Sequence, residues 1–134
     1  MSETFVRQWL ETYSSGNLDR CMECYTDDVE FEDPIFGEHV RGKASLRKAF
    51  AAFFFSGVTT LRFRTWSGGP EGGAVEWEWT ADWGPDRTFL GFDVSNTTFT
   101  TRGVSVLQLH KGTIRSQTDY WDVRNALRQV GVLK

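Results

Sequence analysis

The sequence predicts an α+β fold, with helices first and a mainly antiparallel sheet after them. Three observations carry that reading. Apolar residues recur at helical spacing in the first third of the chain. They alternate with polar ones through most of the remainder, and Gly-containing hairpin turns join the alternating runs. Helices segregated from strands in this way exclude a doubly wound parallel sheet.

Phe5, Trp9 and Tyr13, with Val6 and Leu10, form the apolar stripe of a first helix, and Ser14-Ser15-Gly16-Asn17 breaks it. Asn17 is placed to cap a short second helix, which Asp27 and Asp28 end. Val29-Glu30-Phe31-Glu32-Asp33 then alternates as a short strand stopped by Pro34. A loop leads to Gly42, and Leu46, Ala49, Phe50, Phe53 and Phe54 mark a third helix.

Two long strands, 58–66 and 74–83, flank a Gly- and Pro-rich turn at 67–73. Pairing across that turn sets Arg64 opposite Glu76, Arg62 opposite Glu78, Phe63 opposite Trp77 and Leu61 opposite Trp79. One face is then charge-paired and the other aromatic, which supports the register. Residues 84–96 read as a long loop, a candidate lid or mouth. A second hairpin joins 97–110 to 113–121 through Lys111-Gly112. Asp122 caps a last helix carrying Val123, Leu127 and Val130 and closed by Gly131.

With 134 residues, the chain has one domain's worth of length, 1–134. Its net charge is −3 and its fifteen Lys and Arg residues are scattered, which argues against nucleic acid. No apolar run approaches the ~18 residues of a membrane span. The amphipathic, acid-containing N-terminus is unlike a signal peptide, so the expected location is the cytoplasm. Cys21 and Cys24 are spaced like a redox pair but fall inside a helical stretch, and read as packing thiols. Eleven Phe, six Trp and three Tyr exceed what a small core needs, and hint at a lined cavity.

The stretch Tyr25-Thr-Asp-Asp-Val-Glu-Phe-Glu-Asp-Pro34, with Gly42-Lys-Ala-Ser-Leu-Arg47, resembles the opening half of the SnoaL-like and ketosteroid-isomerase-like families. Arg102-Gly-Val-Ser-Val106, Gly112-Thr-Ile114, Asp119-Tyr-Trp-Asp122 and Arg128-Gln-Val-Gly131 resemble the closing half of SnoaL-like polyketide cyclases. The resemblance implies a cone-shaped, nuclear transport factor 2-like fold whose curved sheet encloses an apolar pocket, and a homodimer through the outer sheet face. It also implies acid–base chemistry without a cofactor on a small hydrophobic, ring-containing molecule, of the isomerase, cyclase or dehydratase type. Fold does not fix reaction, so a non-catalytic ligand-binding or assembly domain and a water-activating, epoxide-hydrolase-like enzyme stand as alternatives.

Asp33 shares the inward strand face with Val29 and Phe31, where apolar neighbours would raise its pKa towards that of a useful base. Glu32-Asp33-Pro34 is similar to the Glu-Asp-Pro motif whose Asp moves the proton in ketosteroid isomerases. The alternative is an Asp that only ends the strand and holds the turn. The isomerases' Tyr and protonated Asp correspond here to Trp9 and Ser105. A steroid isomerase is therefore not expected.

Asp119 shares a strand face with Gln117 and Trp121, and the cyclase resemblance makes it a base whose usual His partner is replaced by Ser105. The alternative is a surface pair with Arg102 or Arg115. Of the two aspartates, Asp33 is the favoured candidate. His39 lies in the loop after Asp33, placed to relay a proton or touch substrate or simply to face solvent; His110 sits at a solvated turn. Neither His has a partner at metal-ligand spacing. Trp77, Trp79, Ala81 and Trp83 alternate along one strand, either as core or as a pocket wall shared with Phe31, Phe50, Phe54 and Trp121.

Overall fold

The computed structural model describes residues 2–55 and 59–133. Helix α1 (Ser2–Ser14) buries Val6, Trp9, Leu10 and Tyr13, a spacing that puts all four on one face. Gly16, at φ +70, turns the chain into α2 (Leu18–Glu23), where the Asn17 side chain accepts the Arg20 N–H at 3.1 Å. Cys21 and Cys24 are free thiols, and burial pushes the first up to about 12 and the second to about 11. Neither is a thiolate near neutral pH.

Strand β1 (Tyr25–Asp33) starts earlier than the alternation suggests, and buries Tyr25, Val29, Phe31 and Asp33. The segment expected to be a loop holds strand β2 (Glu38–Arg41), which folds back on β1 with Phe31 opposite Val40 and Glu32 opposite His39. Four residues with mostly exposed side chains carry too little pattern to be seen in sequence. Helix α3 (Lys43–Ala52) follows, burying Leu46 and Phe50.

Strands β3 (Thr59–Gly69) and β4 (Gly72–Asp82) pair with Leu61 opposite Trp79, Arg62 opposite Glu78 and Phe63 opposite Trp77, as the sequence predicts. Val58 lies outside the described residues. Arg64 departs from the prediction: a bulge leaves Thr65, not Arg64, opposite Glu76. The Arg64 guanidinium still reaches Glu76 at 3.0 Å, and Arg62 reaches Glu78 at 2.5 Å, on the outer face. The strands also run through most of the expected turn.

The 84–96 segment is not an open loop. It carries a miniature hairpin, β5 (Thr88–Phe89) and β6 (Phe92–Asp93), anchored by buried Phe89 and Val94. Phe89 packs against Phe36, Trp83, Phe99 and Trp121. Strands β7 (Thr98–His110) and β8 (Thr113–Trp121) are joined by Lys111 and Gly112, both at positive φ as a type I′ turn requires. The Asp122 side chain accepts the Asn125 N–H at the start of α4 (Val123–Gln129).

The large sheet has the order β2-β1-β8-β7-β4-β3, antiparallel except for the β1–β8 pair. The sheet is curved and unclosed; α1 packs along β3 and α3 along β1, so the helices cover the concave side. That concave side holds the core. No helix among the described residues is long and apolar enough to cross a membrane.

Candidate active site

Alternation along three strands aims one polar group from each at the same place. On β8, Gln117, Asp119 and Trp121 are buried while their neighbours Thr118 and Tyr120 are not. On β7, Ser105 pairs with Asp119; on β1, Asp33 ends the inward row begun by Val29. These side chains meet in a cavity walled by Trp9 and Tyr13 of α1, Phe36, Phe54, Leu61, Trp77, Trp79 and Trp121. Its free space is about 10 Å³, close to what one water molecule needs. The aromatic rings nearly fill the cone. Beyond Phe36 and Phe54 lies a second void of about 100 Å³, lined also by Phe31, Glu38, Ala49, Phe50 and Phe53.

One glycine makes the aromatic wall possible. Gly103 lies in β7 directly between Trp77 of β4 and Trp121 of β8. A Cβ there would collide with the Trp77 ring and stand 2.8 Å from the Trp121 Cβ, so only glycine lets both indoles lie over the strand.

Asp119 is 6% exposed. Its Oδ1 accepts the Ser105 hydroxyl at 2.6 Å and the Gln117 amide at 3.0 Å, while Oδ2 has only the same amide at 3.2 Å. Burial raises its pKa to about 7, against the pull of those two donors, and the nearby Asp33 raises it further. The surface pairing with Arg102 or Arg115 does not occur, because Asp119 faces inward to Ser105 and Gln117.

Asp33 is 1% exposed and combines both of its sequence readings. Its Oδ1 accepts the backbone N–H groups of Ile35 and Phe36 at 3.0 and 3.1 Å, which holds the turn. The Trp121 indole donates to both oxygens at 3.3 and 3.1 Å from within the cavity. Burial raises its pKa and the three donors oppose that rise.

A chain of hydrogen bonds extends from Asp119 away from Asp33. Trp77 Nε1 donates to Ser105 Oγ at 2.9 Å, and the Gln117 Oε1 accepts the Tyr25 hydroxyl at 2.6 Å. Tyr25 in turn accepts the Trp9 indole at 3.0 Å and lies 3.2 Å from the Tyr13 hydroxyl. Burial holds both phenols well above the usual tyrosine pKa, so they stay protonated. Trp9 and Ser105 therefore bond to protein groups, and not outward as isolated donors.

Of the residues singled out in the sequence, Trp9, Asp33, Phe54, Trp77, Trp79, Ser105, Gln117, Asp119 and Trp121 share the first cavity. Phe31 and Phe50 line the second. His39 lines neither cavity: β2 carries it to an exposed groove with Glu30, Glu32 and Thr118, the solvent-facing alternative, where its ring meets Glu30 at 2.7 Å. Sequence reasoning missed Tyr13, Tyr25, Phe36 and Leu61 as site residues. Tyr25 was findable, since it stands on the same odd-numbered row as Val29, Phe31 and Asp33. Among the described residues, no group of three His, Cys, Asp or Glu side chains could hold a metal ion.

The sequence matches the SnoaL-like domain family over residues 6–117. No curated protein matches it. Among solved structures, a putative polyketide cyclase from Pseudomonas putida superposes with a TM-score of 0.80 at 16% identity, covering 98% of each chain. The epoxide hydrolase/cyclase-like enzyme SalBIII, which has a role in pyran ring formation in the polyether salinomycin, gives 0.75 at 21%, covering 92% of each. A putative hydroxylase from Streptomyces galilaeus, AclR, gives 0.78 at 14%, covering 99% of this chain and 86% of its own. These likenesses establish a nuclear transport factor 2-like fold.

Proposed function

The chain belongs to the SnoaL-like domain family, and from that premise we propose that it carries out acid–base chemistry on a small hydrophobic, ring-containing molecule, with Asp119 as the base. One observation carries the proposal: a carboxyl group buried among aromatic rings, with its pKa lifted to about 7. A base is most effective when its pKa lies near the working pH. Ser105 and Gln117 both bond to Oδ1 and so fix the rotamer, leaving Oδ2 the less engaged oxygen to receive a proton. Asp33 is anchored by two backbone N–H groups and acts as the second, electrostatic carboxyl group.

The reaction types that suit this arrangement are proton removal beside a carbonyl and proton removal from a hydroxyl during ring closure or dehydration. The role of the similar protein SalBIII in pyran ring formation supports the second. A non-catalytic ligand-binding or assembly domain is the other reading, and the near-filled cavity favours its assembly form. Solvent-deuterium incorporation into a panel of enolisable ring ketones separates the two. The parent protein should catalyse exchange into at least one of them, and Asp119→Asn should lower that rate by about 10²–10⁴. Ligand binding without exchange in the parent would favour the binding domain. Equal rates in parent and variant would remove Asp119 as the base.

A further inference from the structure

Nearly every hydrogen-bond donor atom that lines the main cavity has a protein acceptor. The Trp9 indole has Tyr25, the Trp77 indole has Ser105, the Ser105 hydroxyl and Gln117 amide have Asp119, and the Trp121 indole has Asp33. Among the described residues lining the cavity, Trp79 Nε1 alone is buried and without a partner. Trp83 Nε1 and Thr59 Oγ1 also lack partners, but neither lines it.

A buried N–H with no acceptor destabilises the fold and calls for an explanation. Sequence supplies no reason for Trp at this position other than bulk, since Phe fills most of the same space without the orphan donor. Trp79 is 2% exposed, wedged edge-on to Trp121 at 5.3 Å and to Phe99 at 5.0 Å. Its neighbour Trp121 is the indole that reaches Asp33, so the unpartnered donor and both carboxyl groups border one space.

We propose that the Trp79 indole N–H is a ligand contact, which takes the carbonyl oxygen of an apolar ring ketone admitted when Phe36 and Phe54, the side chains shared by the two voids, turn aside and join them. The inference deepens the proposed function and rests on the cavity being a ligand site. When the C–H bond beside the carbonyl breaks, its proton passes to Asp119 and the electron pair moves onto the carbonyl oxygen. A donor bonded to that oxygen is stronger for the developing charge than for the neutral ketone.

Indanone and indane test this, because they share one ring frame and differ in the carbonyl. In the parent protein labelled with ¹⁵N at its indoles, indanone should shift the Trp79 indole proton downfield and indane should not. Trp79→Phe should weaken indanone roughly three- to tenfold, the worth of one neutral hydrogen bond, and leave indane within about twofold. An indole proton unmoved by indanone up to its solubility limit would overturn the proposal; the N–H would then rest on a ring face or a trapped water. Equal losses for the two probes would overturn it as well. The titration of the parent decides the matter if the variant does not fold. Asp119→Asn separates this inference from the reading beneath it. If that variant still exchanges deuterium while the Trp79 shift persists, Asp119 fails as the base and the Trp79 contact stands.

Discussion

Asp119→Asn can be tested without any ligand, through the dependence of stability on pH. An ordinary Asp carboxyl titrates at 3.8, whereas Asp119 in the folded chain titrates at about 7. Between those values the folded state holds a proton that the unfolded state has released. Protonation therefore favours the fold, and its contribution is complete below about pH 4 and is lost as pH rises through about 7. Some three units at about 1.4 kcal/mol each set a ceiling on the order of 4 kcal/mol. That is a large part of the roughly 5–15 kcal/mol that holds a domain together. Asparagine keeps an Oδ1 for Ser105 and Gln117 but cannot titrate. Urea unfolding of both proteins from about pH 4 to pH 8 reads the difference. Exposed carboxyls with lowered pKa, such as Asp28 and Glu30, contribute equally to both curves and cancel. The variant should gain on the parent from about pH 4 and level off above about pH 7. Parallel curves would refute the claim that Asp119 is a buried, proton-holding group, and the proposed base would go with it.

Asp33→Ala should cost about 1–3 kcal/mol, because the Ile35 and Phe36 N–H groups and the Trp121 indole all lose their acceptor, whereas Asp33→Asn should cost less than half as much. Chemical denaturation of the pair checks this, and equal losses would mean that the charge, not the acceptor, matters. Phe54→Ala removes a wall shared by the two voids, so apolar ring probes should bind at least several-fold more tightly by calorimetry, at a stability cost below the ~3–5 kcal/mol of a fully buried Phe. Unchanged binding would mean that Phe36 alone separates them. Gly103→Ala should destabilise by about 1–3 kcal/mol and alter near-ultraviolet circular dichroism, since Trp77 and Trp121 must both move. An unaltered spectrum would show that the wall tolerates a methyl group.

Much of this architecture was legible because period and face are written in the chain. Val29, Phe31 and Asp33 alternate, as do Gln117, Asp119 and Trp121, and each row lies inside. What failed to show was decided by partners distant in sequence. Strand β2 exists because β1 offers it an edge, not because Glu38-His-Val-Arg41 has a pattern. His39 was therefore placed by its loop and its nearness to Asp33, when pairing with β1 turns it to the outer face. The Arg64 bulge is invisible for a related reason: its long side chain reaches Glu76 from either register. The segment 84–96 reads as a loop because Gly84, Pro85 and Gly91 interrupt any alternation, yet buried Phe89 and Val94 tie it down.

The two aspartates look alike in sequence and differ in what holds them. Asp33 is gripped by backbone N–H groups that close its own turn, so its position and its acceptor duty are fixed by local chain geometry. Asp119 is held only by side chains, Ser105 and Gln117, and Gln117 is oriented in turn by Tyr25. Each keeps one oxygen with a single donor, the Trp121 indole on Asp33 and the Gln117 amide on Asp119. The difference lies in the number of donor residues that favour the charged form, three for Asp33 and two for Asp119, so burial lifts Asp119 to about 7 against less opposition. That asymmetry supports Asp119 as the proton acceptor of the proposed function, with Asp33 as its electrostatic partner, against the preference that the Glu-Asp-Pro context alone suggests. In that proposal the Ser105 hydroxyl stands in for the cyclase-type His, since it occupies the paired position on β7 and already fixes the rotamer of Asp119.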